Sequence, residues 1–574
     1  MRKIRFRFIA LIVVLAMILS TSGAFACTAV HIGKNVSADG TTIIARSEDQ
    51  GGGAYNKMFK VEPRVTKAGR YFEDTGTGFK VKLPKTTYKY TYVPDASDAN
   101  DGMYPASCTN EYGVSVVGTV STGVTEEYMA IDPCTEYDKG LREAIIPAVV
   151  IMQSKTAREA CEVLAKLIDK YGSAEWNTLL FADKKEAWIF ENYGGYSYCA
   201  MKLSPNKVSV FGNHIMIDWV DSATTSKNYI FSKDLFKNLD KVSTVVKEGT
   251  KYNIVRSIDE PVRSEYSNMR NWGGMRLLAG AEAAGEYSDE TFYPLQYKPS
   301  GKVSITDVMN IYRDRYEGTP YDMMDPENAS RRPIGVTRQS DVHIMQVFSD
   351  LPRECNTVQW LAMGNAESSV FVPAFSGITD THDAYKVDGT AYNPDSAWWM
   401  FKRIATLAQS DRGHLMKGTQ AFWKAQEKSE VKKINKALKE VKKAYKKSKK
   451  EGRKYVTKLG KDMAQKQLNN SDVLYNALEY ITTNNDNDRA YGENDRRKDF
   501  ARPVALVSAA KKAGFKVKVD GTNYNLTKGG VTYTLVLNSK EYQKDGAYQD
   551  DMAYAIFECH GTVWAPGNFA DYLQ

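Results

Sequence analysis

Residues 1–7 carry four basic side chains, Arg2, Lys3, Arg5 and Arg7, and the next dozen, 8–19, carry no charge. That apolar run has the length of a signal-peptide core and falls short of the ~20 residues that span a bilayer comfortably. Residues 20–26 are small or polar and end Ala24-Phe25-Ala26. The pattern predicts an export leader over 1–26 with cleavage before Cys27; an uncleaved membrane anchor is the competing expectation. After the leader the texture changes. Cys27, Thr28, Ala29, Val30, His31 and Ile32 are rich in β-branched residues, Gly33–Gly40 has turn composition closing on Asp39-Gly40, and "TTIIAR" at 41–46 reads as a second strand. If Ile32 faces Thr41 in an antiparallel pair, Cys27 falls opposite Arg46, and "ARSED" (45–49) is carried to the cysteine.

Further on, Thr156 and Glu159 fit a capping box, Ala157, Cys161, Leu164 and Ile168 recur at helical spacing, and Gly172 ends the run. A helix over 154–171 is expected. Two short apolar segments, 178–182 and 187–190, flank a charged turn and predict a hairpin. Ile434, Leu438, Val441 and Tyr445 mark an amphipathic helix within 424–466. A polar stretch, 482–499, leads to an alternating segment, 515–537, punctuated by Asp520-Gly521 and Gly529-Gly530, which predicts a small β-meander. Strands in pairs with helices between them predict an α+β layered fold.

Charge alters this picture in one place. The net charge of the 574 residues is +8, yet 424–466 alone holds 17 basic and five acidic residues. The remainder is close to neutral, so the positive charge belongs to the outer face of one helix. A solvated face and attraction to an anionic wall or membrane surface are both open readings. No reading motif or aromatic platform for nucleic acid accompanies it. Seven cysteines, 27, 108, 134, 161, 199, 355 and 559, leave six once Cys27 is set aside, enough for three disulfides in an oxidising compartment. No C-x-x-C or H-E-x-x-H occurs, which speaks against zinc chemistry. His343 is a candidate partner for a cysteine in a papain-like pair, although the sequence around Cys27 is not of that kind; His31 is as well explained by packing. Gly51-Gly52-Gly53 reads as a turn near the site.

Cleavage before Cys27 would place a free α-amine beside a thiol. An α-amine titrates near ~7.7–8.0 and a cysteine near ~8.5, so one residue could supply both nucleophile and general base. Arg46 would favour the thiolate, and Asp49 could accept a hydrogen bond from the α-ammonium. Two other readings of Cys27 stand beside this one: a chance first residue, and a lipid-bearing cysteine. Ala24 and the bulky Phe25 fit a lipidation signal poorly.

The stretch "CTAVHIGKNVSADGTTIIARSEDQ" resembles the opening of the peptidase family C69 dipeptidases, the cysteine branch of the N-terminal nucleophile hydrolases, related to penicillin V acylases and bile-salt hydrolases. "TNEYGVSVVGT" (109–119), "SKTAREACEVLAKLIDKYG" (154–172), "FADKKEAWIFE" (181–191), "FGNHIMI" (211–217) and the block 340–377 continue the resemblance in order, from Cys27 to about residue 485. It implies a four-layer αββα sandwich. It implies Cys27 as nucleophile and base, Arg46 and Asp49 as the R-x-x-D pair, and the side-chain amide of Asn213 in the oxyanion hole. A backbone N–H near Gly118 or Thr119 would be the second donor, and Arg270 is a candidate for a later active-site arginine.

The expectation is therefore a leader over 1–26, a hydrolase domain over 27–485 that includes the basic helix, and a linker with β-rich extension over 486–574. The expected activity is that of a secreted cysteine peptidase hydrolysing dipeptides or short peptides, with catalytic residues Cys27, Arg46, Asp49 and Asn213 and no metal or cofactor. No nucleic-acid partner is expected; surface association through the basic helix and homo-oligomer formation stay open. Alternatives are an amidase of acylated amino acids, of penicillin V or bile-salt type, and a surface-anchored lipoprotein that binds rather than cleaves.

Overall fold

The computed structural model describes residues 27–50, 56–99, 102–486 and 499–573. The leader at 1–26, the Gly51-Gly52-Gly53 turn and most of the polar stretch 482–499 lie outside the described residues. The chain divides into two compact units. One takes the chain up to Gln359 with Phe375–Gly377 and Asp388–Thr390; the other takes Trp360–Ala374, Ile378–Val387 and everything from Ala391 on.

The first unit contains the strands Thr28–Ile32 (β1), Thr42–Asp49 (β2), Ser107–Asn110 (β3), Ser115–Ser121 (β4), Asn177–Ala182 (β5), Ala187–Asn192 (β6), Tyr198–Lys202 (β7), Val208–Phe211 (β8) and Gln339–Val347 (β9). Its principal helices are Ile146–Ile151 (α1), Ala157–Tyr171 (α2) and Glu265–Ala279 (α3). One sheet, of six strands, contains the consecutive run β8-β1-β2-β9. A second, of eight strands, contains β7-β6-β5-β4-β3 with Tyr229–Phe231 outside β7 and Tyr90–Tyr92 and Lys60–Glu62 outside β3.

Alternation along the strands builds the layers. Val117, Leu180 and Ile189 join Ala29, Ile44, Phe211 and Met345 in a core between the sheets. Their neighbours Val116, Leu179, Phe181, Trp188 and Phe190 face the other way and meet Ala160, Cys161, Leu164 and Ile168 of α2. On the outer side of the first sheet, α3 lies against β8. The approach is so close that a Cβ on Gly274 would sit 2.2 Å from the Cβ of Val210. The order is helix, sheet, sheet, helix, the αββα arrangement expected.

Local expectations hold with instructive shifts. Thr156 caps α2, its hydroxyl accepting from Glu159 N at 3.0 Å, but the Glu159 carboxylate reaches back to Lys155 N rather than to the cap itself, so the box is half closed. Gly172 ends the helix at φ +75°. In the β1–β2 pair Ile32 faces Ile43 rather than Thr41, and Ala29 rather than Cys27 faces Arg46. The turn takes the extra residues because the Asp39 carboxylate binds Thr41 N at 3.3 Å and Ser37 Oγ at 2.7 Å. A shift of two residues preserves which side chains share a face, so Arg46 still reaches the cysteine, on the diagonal.

In the second unit, Ala397–Ser410 (α4), Arg412–Lys447 (α5) and Lys449–Asp486 (α6) follow one another. The helix expected across 424–466 is in fact two. Ser448 is extended, at φ −169° and ψ 159°, and its hydroxyl accepts from Glu451 N at 3.1 Å to start α6. Gly452 leaves room for the Tyr445 ring, which a Cβ would approach to 2.4 Å, so the chain folds back. Ile434, Ala437 and Val441 are buried, as are Val456 and Met463 on the returning helix. Lys516–Asp520, Asn523–Lys528, Val531–Val536, Glu541–Lys544 and Ala547–Asp551 form a five-stranded antiparallel meander, whose first three strands are those the alternation marked. The cysteines depart from expectation: all seven are free. Cys108 on β3 and Cys199 on β7 share a sheet with three strands between them. At ~4.8 Å per strand that is far beyond the ~7 Å Cα separation a disulfide tolerates.

Candidate active site

Cys27 directly precedes β1 and is fully buried. Arg46 Nη2 donates to its Sγ at 2.9 Å and to Tyr104 Oη at 3.4 Å. The other arm, Nη1, reaches Glu48 Oε2 at 3.3 Å. Glu48 in turn accepts from Lys57 Nζ at 2.9 Å on each oxygen and from Gln50 Nε2 at 2.9 Å, and Lys57 also pairs with Asp95. The side chains of Arg46, Glu48, Lys57 and Asp95 are entirely inaccessible. A buried guanidinium in such a chain has its place fixed by the carboxylate behind it. Tyr104 holds φ +29°, a conformation costly outside glycine and found where surroundings enforce it.

Burial pushes the Cys27 thiol up to about 12; Arg46 pulls it down, while Asp49, Glu143 and Glu48 push it further up. Near neutrality the sulfur is protonated, so attack requires a base close by. His343 does not stand there. Its Nδ1 lies 2.7 Å from Asp341 Oδ2, and no hydrogen bond joins it to Cys27 among the described residues. Burial lowers its pKa, against the pull of Asp341. His31 is packed, 1% exposed, as its place on the strand allowed.

The nitrogen of Cys27 faces a different set of groups. It donates to Asn213 Oδ1 at 3.1 Å. Arg270 Nη2 donates to the same oxygen at 2.7 Å, while Arg270 Nη1 reaches the Cys27 carbonyl at 2.6 Å and Thr28 Oγ1 at 3.1 Å. Arginine has only donors, so its contact fixes which end of the Asn213 amide is the carbonyl. The amide nitrogen then donates to Ser121 O at 2.7 Å. The end of Asn213 turned to Cys27 is thus its acceptor, not the donor expected for an oxyanion. Gly212 sits where a Cβ would meet the Arg270 guanidinium carbon at 2.8 Å. Burial, then Arg332, lower the Arg270 pKa to about 10, with Asp49 opposing.

Asp49 is fully buried, and one oxygen pairs with Arg332. Its other oxygen, Oδ1, has no hydrogen-bond partner among the described residues. The expected contact between Asp49 and the Cys27 nitrogen is not formed; Asn213 takes that position. Strand alternation explains the division: Arg46 and Glu48 share one face of β2, Ser47 and Asp49 the other. Burial raises the Asp49 pKa, opposed chiefly by Arg332 and Arg270. The second expected donor also changes: Gly118 N donates to Ala106 O at 3.3 Å, beside a bulge in the β4–β5 register between Val117 and Val120.

The structure therefore brings Cys27, Arg46, Asp49, Asn213 and Arg270 into one connected cluster. Glu48, Lys57, Asp95, Tyr104 and Arg332 belong to it and were not expected. Alternation from Arg46 points to Glu48; the other four come from distant positions with no local signal.

The sequence profile described as Peptidase family C69 matches residues 26–425. A probable dipeptidase B from Streptococcus pyogenes serotype M1 is 30% identical over 436 residues, 72% of this chain and 86% of that protein. A dipeptidase from Bifidobacterium longum is 27% identical over 433 residues, 70% of this chain and 80% of its own length. Among solved structures, a conjugated bile acid hydrolase from Clostridium perfringens aligns with 59% of this chain and 89% of its own, at 8% identity and a TM-score of 0.28. With the profile spanning more than half of its length, the chain belongs to peptidase family C69 and is a peptidase.

Proposed function

We propose that this chain is an exported cysteine-type dipeptidase, and that its working form begins at Cys27. The observation that carries the reading is the division of labour around one residue: Arg46 holds the sulfur at 2.9 Å, while Asn213 accepts from the nitrogen at 3.1 Å. A leader ending at Ala26 would uncover that nitrogen as an amine. The amine has more hydrogens than an amide N–H; Asp49, whose charge acts on Cys27 and whose Oδ1 has no partner among the described residues, is the acceptor assigned to a second one, a contact that has to form once the amine is uncovered. This supports the role of Asp49 as an anchor of the α-ammonium. The free dipeptide as substrate is supported by the names of the relatives.

In this mechanism the α-amine takes the thiol proton and the sulfur attacks the scissile carbonyl. In the resting arrangement the Asn213 amide nitrogen is bonded to Ser121 O and Gly118 N to Ala106 O, so stabilising the tetrahedral oxyanion requires one of these donors to turn to it; such a donor contributes a factor of ~10²–10³ in rate. The ammonium then returns its proton to the leaving nitrogen, the C–N bond breaks, and a thioester remains. Water, deprotonated by the same amine, attacks the thioester and releases the N-terminal amino acid with regeneration of the thiol. Arg46 lowers the cost of the thiolate, and Arg270 fixes the Asn213 carbonyl and the Cys27 backbone.

The test is hydrolysis of a dipeptide panel, run beside penicillin V and a bile-salt conjugate, by the mature protein and its Cys27→Ala variant. Dipeptides should be cleaved, and the variant should be inactive with its fold intact by circular dichroism. Turnover by a folded Cys27→Ala protein removes the nucleophile assignment; cleavage confined to the acyl amides moves the enzyme to the other class.

A further inference from the structure

Three guanidiniums surround the ring of Tyr266. Arg270, Arg332 and Arg338 lie 5.4, 5.5 and 5.7 Å from its centroid. They form a gradient of exposure: Arg270 and Arg332 are buried, Arg338 is half-buried, and Tyr266 is 36% exposed. The inner two are committed. Arg270 binds the Cys27 carbonyl, Thr28 and Asn213, and Arg332 pairs with Asp49. Arg338 differs. Its Nη2 donates to Tyr266 Oη, its Nε is buried without a partner, and no carboxylate pairs with it among the described residues. Its backbone carbonyl accepts from Gln50 N at 3.1 Å, which ties it to the residue after Asp49.

Like charges gathered on one ring repel, and among the described residues Asp49 is the carboxylate seen to pair with the group, through Arg332. Half-removed from water, a guanidinium in this setting favours an added anion. The peptidase reading of the site, on which this inference rests, supplies one. In a dipeptide the leaving residue ends in a carboxylate two bonds beyond the scissile nitrogen, and a planar guanidinium fork matches that group. We propose that Arg338, oriented by Tyr266, binds the free α-carboxylate of the leaving amino acid and so confines the enzyme to dipeptides. A longer peptide or an amide carries no charge at that place.

The experiment compares a dipeptide with its C-terminal amide, using the mature protein and its Arg338→Gln and Arg338→Lys variants. The native enzyme should prefer the free acid by about 100-fold in kcat/KM, the order of a charge-assisted hydrogen-bond pair. Arg338→Gln should abolish that preference by raising KM for the acid, leave amide hydrolysis within about threefold, and be partly restored in Arg338→Lys. Equal losses on both substrates, or no native preference for the acid, overturn the assignment of Arg338. A native enzyme that cleaves neither compound overturns the dipeptidase reading beneath it, a result distinct from either of those.

Discussion

At Cys27 two demands meet that pull apart. Burial holds the thiol at about 12, which keeps the resting sulfur neutral, and Arg46 is the group that opposes it. Arg46 acts with geometric precision because Glu48 grips its second arm and Lys57 grips Glu48. A lysine at 46 would keep the charge but could not span sulfur and carboxylate at once. Arg46→Lys should therefore lower kcat/KM by about 10²-fold. The sign of the pH effect follows: with less stabilisation of the thiolate, the thiol pKa rises, and the pH profile for alkylation of Cys27 moves to higher pH. A profile that stays in place or moves down contradicts the role given to Arg46. Cys27, Arg46 and Asp49 were visible in the sequence because they lie within 23 residues of one another on neighbouring strands. Asn213 and Arg270 were reachable only through the family resemblance, and which end of the Asn213 amide faces Cys27 depends on Arg270, which no local pattern reveals. Lys57, Asp95 and Arg332 carry no periodic signal at all, since a charged residue inside a protein looks like a surface residue in sequence.

The elements that deliver these groups are β8, which leads into Asn213, and α3, which carries Arg270. They are locked together at Gly274, whose missing Cβ lets the helix rest on Val210. Gly274→Ala should force helix and strand apart, cost about 1–3 kcal/mol of stability, and lower kcat more than it raises KM, because it displaces both partners of the Cys27 nitrogen. Urea unfolding beside steady-state kinetics checks this; an alanine variant as stable and as active as the native protein contradicts the packing argument. Element type was legible where hydrophobic period was strong, as in α2 and the C-terminal meander. Boundaries were not. The break at Ser448 escapes pattern reading because lysine-rich helix continues on both sides of it, and only the Gly452–Tyr445 fit reveals the reversal. The β1–β2 register slipped by two because side-chain bonds of Asp39 lengthen the turn. The slip left the faces intact, which is why the sequence argument about Arg46 survived it.

At the scale of the molecule, the αββα stack of the first unit sets Cys27 at the head of a strand inside its sheet and surrounds it with charge drawn from β2, α3 and the segments between strands. The layering was predictable from paired strands and the family resemblance, whereas the free state of all seven cysteines was not, since counting cysteines says nothing about which strands separate them. The proposed chemistry depends on the nitrogen of Cys27 being an amine in the working enzyme. The most direct measurement is the intact mass and N-terminal residue of the active protein isolated from an exporting host, before and after inactivation by a thiol alkylator at neutral pH. The proposed chemistry requires a chain beginning at Cys27 with an unblocked amine, and loss of activity in step with one adduct on that residue. Full activity in a protein that still carries residues ahead of Cys27, or whose Cys27 amine is acylated, would contradict it.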